Sequence, residues 1–302
     1  MAVSGNQPGP HLLIIAGVHG DEYEPILAVE RLIEEFGNGP NLDRGQLTLV
    51  RVVNEPANDL DARCGPDGKD LARTCPGNPD GSITEQIASE ISALIRTADY
   101  LIDMHTGGKM YEIYPLTGYV LHPDPQILEK QRNMCQVFGL DVQWGTSPHL
   151  DGRTLSVARD AGVPAIYTEY GGGSPARSEI VETLYKGCIN VMVDLQLVPN
   201  PGLQITPPTF IVEDHRTDSG HLQILYPAPA DGRLLAQVPL GTVVHKGNCI
   251  ARISQPDSDV EQEITALEDG LVFLLNRQSD VTKGVSTAGI LPITQPGKIS
   301  IP

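Results

Sequence analysis

The first two hundred residues alternate between two hydrophobic patterns. Continuous apolar runs, typical of buried strands, occur at LLIIAG (12–17), LTLVRVV (47–53), YLIDM (100–104) and VPAIYT (163–168). Between these runs the apolar residues recur at helical spacing, as with Ile26, Val29 and Ile33 after the first run. Ser82 and Glu85 have the spacing of a capping box at the start of another helix. Strands that alternate with helices predict an α/β fold with a mainly parallel sheet and flanking helices.

The pattern changes in two other regions. Residues 54–81 are rich in Gly, Pro and Asp and show no regular pattern, which is typical of a functional or mobile loop. Residues 198–210 are rich in proline and indicate a linker. Beyond it, short strand-like runs repeat, because ADGRLL…VVHKGNCIA (230–251) is similar to EDGLVF…VTKGVSTA (268–288). We predict an α/β domain over 1–200 and a β-rich C-terminal domain over 201–302.

Charge and cysteine content narrow the class of protein. The 38 acidic residues outnumber the 21 basic ones and give a net charge of -17, with no Lys/Arg cluster. This balance argues against binding to nucleic acid or to an anionic membrane, and no apolar run has membrane-spanning length. The five cysteines are scattered, without a CxxC pair, and the first apolar run is too short for a signal peptide. We therefore expect a cytoplasmic protein with free thiols.

Polar residues follow three of the apolar runs directly. His19 and Glu22 come after the first run, His105 after YLIDM, and Glu169 after VPAIYT. The carboxyl ends of parallel strands meet at one edge of a sheet, which is where ligands bind in open α/β folds.

Two imidazoles and a carboxylate form a ligand set suited to catalytic zinc, which keeps an open position for water. The HxxE spacing of His19 and Glu22 is weak alone and is more typical of a solvated helix start. Its combination with His105 and Glu169 predicts a metal site. For Asp103, a role behind the ligands and a buried capping role both stay open.

Four motifs resemble one enzyme family: GVHGDEYEP, RCGPDGKDLARTCPG, DMHTGG and TEYGGGS. They are similar to those of the succinylglutamate desuccinylase/aspartoacylase family, within the zinc carboxypeptidase superfamily. The resemblance covers nearly the whole chain and implies a zinc-carboxypeptidase-like catalytic domain over 1–200. It implies one zinc per chain, held by His19, Glu22 and His105, with Glu169 as the general base.

The resemblance also assigns two arginines of the 54–81 loop. Arg63 matches the arginine that stabilises the developing oxyanion, and Arg73 matches the arginine that binds a substrate carboxylate. The chain departs from the family pattern at Ala72, where asparagine is usual, and at Cys75, where phenylalanine is usual. The first departure removes an amide contact and leaves the substrate's identity open.

The C-terminal region resembles a lipoyl/biotinyl-like module, an all-β domain found in some bacterial members of the family. Carriers of this type use a hairpin lysine, but the hairpin at 254–270 contains none. A carrier role is therefore disfavoured. A role at the active-site rim and a role in a homo-oligomer interface both stay open.

Several other residues are weaker candidates. Lys109 and Tyr114 follow the DMHTGG turn and are predicted to line a substrate pocket, although a solvated loop fits them equally well. For Arg153 the sequence favours a structural role over carboxylate binding. Five further histidines have no partners at ligand spacing: His122, His149, His215, His221 and His245.

The function expected from these features is zinc-dependent hydrolysis of the amide bond in a small N-acyl amino acid or related compound. The partner is then a small-molecule N-acyl substrate. The alternatives are a carboxypeptidase-type metallopeptidase and a catalytically inactive binding protein. An intact set of His19, Glu22, His105 and Glu169 argues against the inactive form.

Overall fold

The computed structural model describes residues 1–37, 42–173, 175–200, 202, 205–222, 225–255 and 261–293, and the backbone of 299–301. The helices are α1 (Tyr23–Phe36), α2 (Glu55–Asp59), α3 (Ile83–Ile95), α4 (Pro125–Phe138), α5 (Thr154–Ala161) and α6 (Ser178–Asp194), with a 3₁₀ turn at Leu71–Arg73. None of the described helices combines the length and apolarity that crossing a bilayer requires.

Strands from both predicted parts of the chain form one large sheet. The strands of the first part are β1 (Ala2–Ser4), β2 (Gln7–Ile15), β3 (Arg44–Val50), β4 (Tyr100–His105), β5 (Tyr111–Val120), β6 (Val142–Thr146) and β7 (Ala165–Gly171). Those of the second part are β8 (Phe210–Asp214), β9 (Gly232–Ala236), β10 (Val243–Val244), β11 (Cys249–Ser254), β12 (Glu261–Thr265), β13 (Gly270–Asn276), β14 (Asp280–Val281), β15 (Ala288–Pro292) and β16 (Ile299–Ile301). Four of these form a separate sheet, in the order β12-β11-β9-β14.

The central sheet is mixed, in the order β1-β3-β2-β4-β7-β5-β6-β8-β16. Strands β3, β2, β4 and β7 run parallel, and β5 turns the direction because it pairs antiparallel with β7. This confirms the α/β class with a mixed sheet. The four predicted strands correspond to β2, β3, β4 and β7, although β3 begins and ends earlier than the apolar run at 47–53.

Apolar side chains alternate between the two faces of the sheet. Leu12 and Ile14 of β2 belong to one core cluster, while Leu13 and Ile15 belong to the other. Helices α1, α4 and α6 cover the first face, and α3 and α5 cover the second. Burial on both faces explains why the parallel strands are continuous apolar runs.

The helix starts agree with the sequence signals. The Ser82 amide donates to Glu85 Oε2 at 2.8 Å before α3, as the capping box predicts. Helix α1 begins two residues before Pro25, and Glu22 occupies its N-cap position. The described cysteines Cys64, Cys75, Cys135, Cys188 and Cys249 are free, as expected.

The C-terminal strands show the predicted internal repeat. Strand β9 pairs with β11 and β14, and β13 pairs with β15 and β10, so each half contributes a short strand to the other. Strand β13 also pairs with β5, and β8 pairs with β6. These pairings join the C-terminal strands to the central sheet, and a domain boundary near residue 200 stays a prediction. Residues 201, 203 and 204 of the expected linker lie outside the described residues.

Candidate metal centre and active site

Three side chains meet where β2 and β4 end. His19 follows β2, Glu22 caps α1, and His105 is the last residue of β4. One potential ligand atom from each lies within 4.8 Å of the other two. The parallel register of β2 and β4, with Ile15 opposite Asp103, brings the two strand ends to the same edge of the sheet.

The carboxylate of Glu22 lies between the two imidazoles. Its Oε1 is 2.7 Å from His19 Nδ1, and its Oε2 is 2.9 Å from His105 Nδ1. Burial alone would raise the pKa of Glu22, but the charges and hydrogen bonds of His105 and His19 outweigh it and hold the pKa well below its ordinary value. Glu22 is 2% exposed and remains ionised because the two rings compensate its charge.

A second carboxylate contacts the far nitrogen of each imidazole. His19 Nε2 lies 3.2 Å from Asp70 Oδ1, and His105 Nε2 lies 3.1 Å from Asp103 Oδ1. Carboxylates in this position orient a metal-binding histidine and fix which ring nitrogen carries the proton. Both Nδ1 atoms are thereby directed to the space beside Glu22.

This donor set fits a zinc ion. Two imidazole nitrogens and one carboxylate oxygen are a frequent ligand set for catalytic zinc, with a fourth position left for water or substrate. All three side chains are buried, and the two outer acids favour imidazoles that present Nδ1 as ligands. His19, Glu22 and His105 are therefore the residues that would hold the metal.

Asp70 links the metal ligands to Arg63. The Arg63 guanidinium donates to Asp70 Oδ2 from Nη2 at 2.9 Å and from Nε at 3.2 Å. Arg63 Nη1 lies 3.9 Å from Glu22 Oε1, so the guanidinium is held at the edge of the ligand set. The sequence analysis missed Asp70. Its other oxygen accepts from the Ala72 amide at 2.9 Å, and at sequence level an Asp before a short helix looks like a cap only.

Glu169 lies beside the ligand set with an unpartnered oxygen. It pairs with His105 in the register of β4 and β7. Its Oε2 is inaccessible to solvent and has no hydrogen-bond partner among the described residues. Burial raises the pKa of Glu169 to about 8. A carboxylate with such a pKa is suited to proton transfer near neutral pH.

Arg73 and Arg153 line the cavity that opens beside this cluster. Neither guanidinium forms an ion pair with a carboxylate of the described residues. Burial, followed by the positive charge of Arg73, lowers the pKa of Arg153 to about 10, so the two groups lie within electrostatic reach of each other. The structure thus places Arg153 in the cavity, although the sequence favoured a structural role. A single arginine in a DGRTL stretch gives no signal that another arginine lies nearby.

The rest of the cavity wall is largely apolar, and part of it comes from the C-terminal strands. Leu274 of β13 pairs with Ile113 of β5, and both side chains line the cavity. The other aliphatic side chains of the wall are Ala72, Val120, Leu150, Leu155 and Leu222. The space enclosed is about 840 Å³ including its open mouth.

Lys109 and Tyr114 do not line this cavity in the described structure. Lys109 is exposed and its Nζ pairs with Asp61. Successive side chains of a strand point to opposite faces, so Tyr111 and Ile113 line the cavity while the Tyr114 hydroxyl donates to Asp141 Oδ2 at 2.6 Å. The pocket-lining role predicted for both residues is therefore corrected.

The metal-ligand set found among the described residues does not include the other histidines of the chain, His11, His122, His149, His215, His221 and His245. His122 Nε2 contacts the carbonyl of Arg159, and His245 is an exposed partner of Asp269. His221 is closer to the cavity, since burial and the charges of Arg153 and Arg73 lower its pKa.

Comparison with known proteins places this geometry in a family. The family model of the succinylglutamate desuccinylase/aspartoacylase catalytic domain matches residues 8–195. The chain belongs to this family. The match includes His19, Glu22, Arg63, His105 and Glu169, and it confirms the resemblance carried by the four sequence motifs.

Several known proteins are similar to this chain over most of its length. The N-alpha-acetyl-L-2,4-diaminobutyric acid deacetylase of Halomonas elongata is 29% identical over 293 residues, which is 95% of this chain and 83% of the relative. A crystal structure of a succinylglutamate desuccinylase from Silicibacter sp. TM1040 is 26% identical, with a TM-score of 0.84, and the match covers 96% of this chain and 86% of that one. A succinylglutamate desuccinylase/aspartoacylase from Rhodobacter sphaeroides is 25% identical, with a TM-score of 0.82 and coverage of 96% and 87%.

Proposed function

We propose that the protein is a zinc-dependent deacylase, which hydrolyses the amide bond of a small N-acyl amino acid or related compound. One observation carries the proposal: a buried His/Glu/His ligand set and the unpartnered carboxylate of Glu169 face the same cavity. The names of the Halomonas and Silicibacter relatives, a deacetylase and a desuccinylase, support the same reaction type.

The residues around the ligand set divide the chemistry between them. A zinc ion held by His19, Glu22 and His105 would supply Lewis-acid activation of a water molecule and of the scissile carbonyl. Glu169 would take the proton from the attacking water. Its raised pKa lets it keep that proton and then deliver it to the nitrogen of the departing amine. The same carboxylate thus acts first as base and then as acid.

Arg63 is positioned for the negative charge of the tetrahedral intermediate. It is half-buried, and Asp70 holds its guanidinium through two hydrogen bonds. A donor fixed in advance stabilises a developing oxyanion without the cost of reorganisation. We assign Arg63 this role, and Asp70 becomes a positioning residue for both Arg63 and His19.

Arg73 and Arg153 would hold the substrate carboxylate. Each guanidinium can donate two parallel hydrogen bonds to a carboxylate, which orients the scissile amide relative to the metal ligands. Because neither pairs with a described carboxylate of the protein, both are available to an anionic ligand. Local positive charge of this kind lets a protein of net charge -17 bind an anion.

The shape of the cavity favours a deacylase over the metallopeptidase alternative. Gly220, Leu222 and Leu274 contribute to its wall from the C-terminal part of the chain. Such a wall limits the length of the substrate, whereas a peptidase needs an extended groove. We therefore propose that the C-terminal strands shape the active-site rim.

The test is an assay of the zinc-loaded protein against a panel of N-acyl amino acids and dipeptides, with release of the free amine as the readout. We expect cleavage of N-acyl amino acids and little cleavage of dipeptides. Faster cleavage of dipeptides would support the peptidase instead. A protein that binds one zinc and cleaves no member of the panel would contradict the proposal.

A further inference from the structure

We propose that Tyr167 is a substrate-binding residue, whose hydroxyl donates a hydrogen bond to the carboxylate held by Arg153. This inference rests on the proposed deacylase function and adds to that site a donor that the sequence analysis did not single out. Three observations carry it: the place of Tyr167 in the sheet, the room that Gly118 leaves for its ring, and a hydroxyl without a partner among the described residues.

Tyr167 lies one step along β7 from the proposed base. Tyr167 and Glu169 are two residues apart, so both side chains leave the same face of the strand. In the register of β4 and β7, Glu169 pairs with His105. Tyr167 pairs with Asp103. A metal ligand and the base therefore share one row of side chains, and Tyr167 belongs to the next row, about 7 Å away.

A hydrogen bond from α5 brings Arg153 to this second row. The Thr154 hydroxyl, at the start of α5, donates to Asp103 Oδ2. Arg153 precedes Thr154, and its amide donates to Ser156 Oγ at 3.0 Å, which fixes the backbone at the N-cap. Asp103 is the partner of Tyr167 in the sheet, and the Arg153 guanidinium lies within electrostatic reach of Tyr167. The carboxylate-binding end of the cavity is therefore next to Tyr167.

Gly118 determines where the Tyr167 ring lies. The two residues are paired between β5 and β7. A Cβ at Gly118 would lie 2.1 Å from Tyr167 Cζ and 2.4 Å from its hydroxyl oxygen. The ring therefore crosses the backbone of β5 at a point where only glycine leaves room for it, as glycines in strand interiors often do. Any larger residue at position 118 would displace the hydroxyl.

The Tyr167 hydroxyl is available to a ligand. The side chain lines the cavity together with Arg153, and its hydroxyl forms no hydrogen bond with a described residue, although buried tyrosines usually have such a partner. Burial, followed by the negative charge of Glu169, raises the pKa of Tyr167, so the hydroxyl keeps its proton and can donate. A carboxylate bound by a guanidinium still has free lone pairs, and hydrogen bonds to a charged acceptor are the stronger ones.

Tyr167→Phe tests the inference on the zinc-loaded protein, because it removes the hydroxyl and keeps the ring against Gly118. The substrates are the N-acetyl-L-amino acid that the wild-type protein cleaves fastest and the carboxamide of that compound. We expect KM for the acid to rise by roughly 10-fold or more with kcat nearly unchanged, since the bond to the carboxylate forms in the ground state and in the transition state alike. KM for the carboxamide should rise much less.

Tyr114→Phe is the matched control. Tyr114 lies on β5, and its hydroxyl donates to Asp141 outside the cavity. This variant should leave both KM values unchanged. Because the Tyr167 hydroxyl has no partner in the described protein, Tyr167→Phe should unfold at nearly the wild-type temperature.

Four results would overturn the inference and leave the deacylase function standing. They are an unchanged KM in Tyr167→Phe, equal rises for the acid and the carboxamide, a fall in kcat at constant KM, and a variant that does not fold. The third would assign Tyr167 to proton transfer with Glu169, and the fourth would give the hydroxyl a structural role. A wild-type protein that cleaves no N-acyl amino acid would instead contradict the deacylase function, and this inference with it.

Discussion

His105 and Glu169 lie side by side at the ends of adjacent parallel strands, paired in the register of β4 and β7. The backbone hydrogen bonds between β4 and β7 therefore hold Glu169, the proposed base, next to His105, a proposed metal ligand, without a flexible loop between them. A base placed on rigid strands is held at a constant distance from the ligand set, as proton transfer from an activated water requires. The neighbouring β2 brings His19 to the same edge, so the ends of three strands lie at the proposed reaction centre.

The first prediction concerns metal content. The wild-type protein should bind one zinc per chain, and His105→Ala should lose it because only two ligands remain. Metal analysis after dialysis measures the stoichiometry. His245→Ala is the control, since His245 is exposed and contacts Asp269 far from the ligand set in sequence. Stoichiometric zinc in His105→Ala, or its loss in His245→Ala, would contradict the assignment.

The second prediction concerns Asp70 as a positioning residue. Asp70→Asn removes the charge that orients the His19 ring and holds Arg63, so zinc affinity and kcat should each fall by roughly 10- to 100-fold. The pKa of Asp70 is lowered, since His19 and Arg63 outweigh the effect of burial, and the native residue is therefore charged. Competition with a chelator measures zinc affinity.

Asp67→Asn is the matched control for Asp70. Asp67 lies in the same loop but accepts from the Thr84 amide at 3.1 Å at the start of α3. Its replacement should lower the thermal unfolding midpoint and leave zinc affinity unchanged. If both variants bind zinc equally well, Asp70 supports the loop and does not position the ligands.

The third prediction concerns the arginine pair. Arg73→Lys and Arg153→Lys keep a positive charge but lose the planar fork, so kcat/KM for carboxylate-bearing substrates should fall by roughly 10-fold or more. The corresponding carboxamide analogues should lose much less. Equal losses on charged and neutral analogues would show that the arginines support the loop and do not bind the carboxylate.

Much of the fold and of the reaction centre could be predicted from the sequence. Parallel strands buried on both faces leave continuous apolar runs, so the polar residues that end them are conspicuous. His19, His105 and Glu169 were found in this way, and the structure brings them to one cavity. The four motifs also identified the family, which the match over residues 8–195 confirms.

Contacts between distant segments were harder to predict. Asp70 is 51 residues from His19, and only the folded loop shows that it is more than a cap. Arg153 precedes α5 and lies within electrostatic reach of Arg73 only in the folded chain, so the sequence does not show that it could bind a substrate carboxylate. Tyr114 lies one residue after Ile113 on β5, and one residue of register decides between the cavity and the opposite face. The strand β5 itself has a mixed pattern, and its pairing with β13 depends on residues far along the chain.

The fourth prediction concerns pH. Burial raises the pKa of Glu169 to about 8, and the positive charge of a bound zinc would lower it again. The base acts in its ionised form, so kcat/KM should fall as pH drops through a pKa below about 8. The acid limb of a pH-rate profile measures this value. The Glu169→Gln variant should be slower and should lose this acid limb. If the variant keeps the same acid limb, another group is responsible for the titration.

The proposed division of roles is tested most directly by measuring zinc content and turnover on the same sample of Glu169→Gln. The variant keeps the size of the side chain and removes the base, while His19, Glu22 and His105 are untouched. We predict one bound zinc per chain and a kcat at least about 100-fold below that of the wild-type deacylase. Turnover close to wild type with zinc still bound would contradict the account, because another group would then be activating the water.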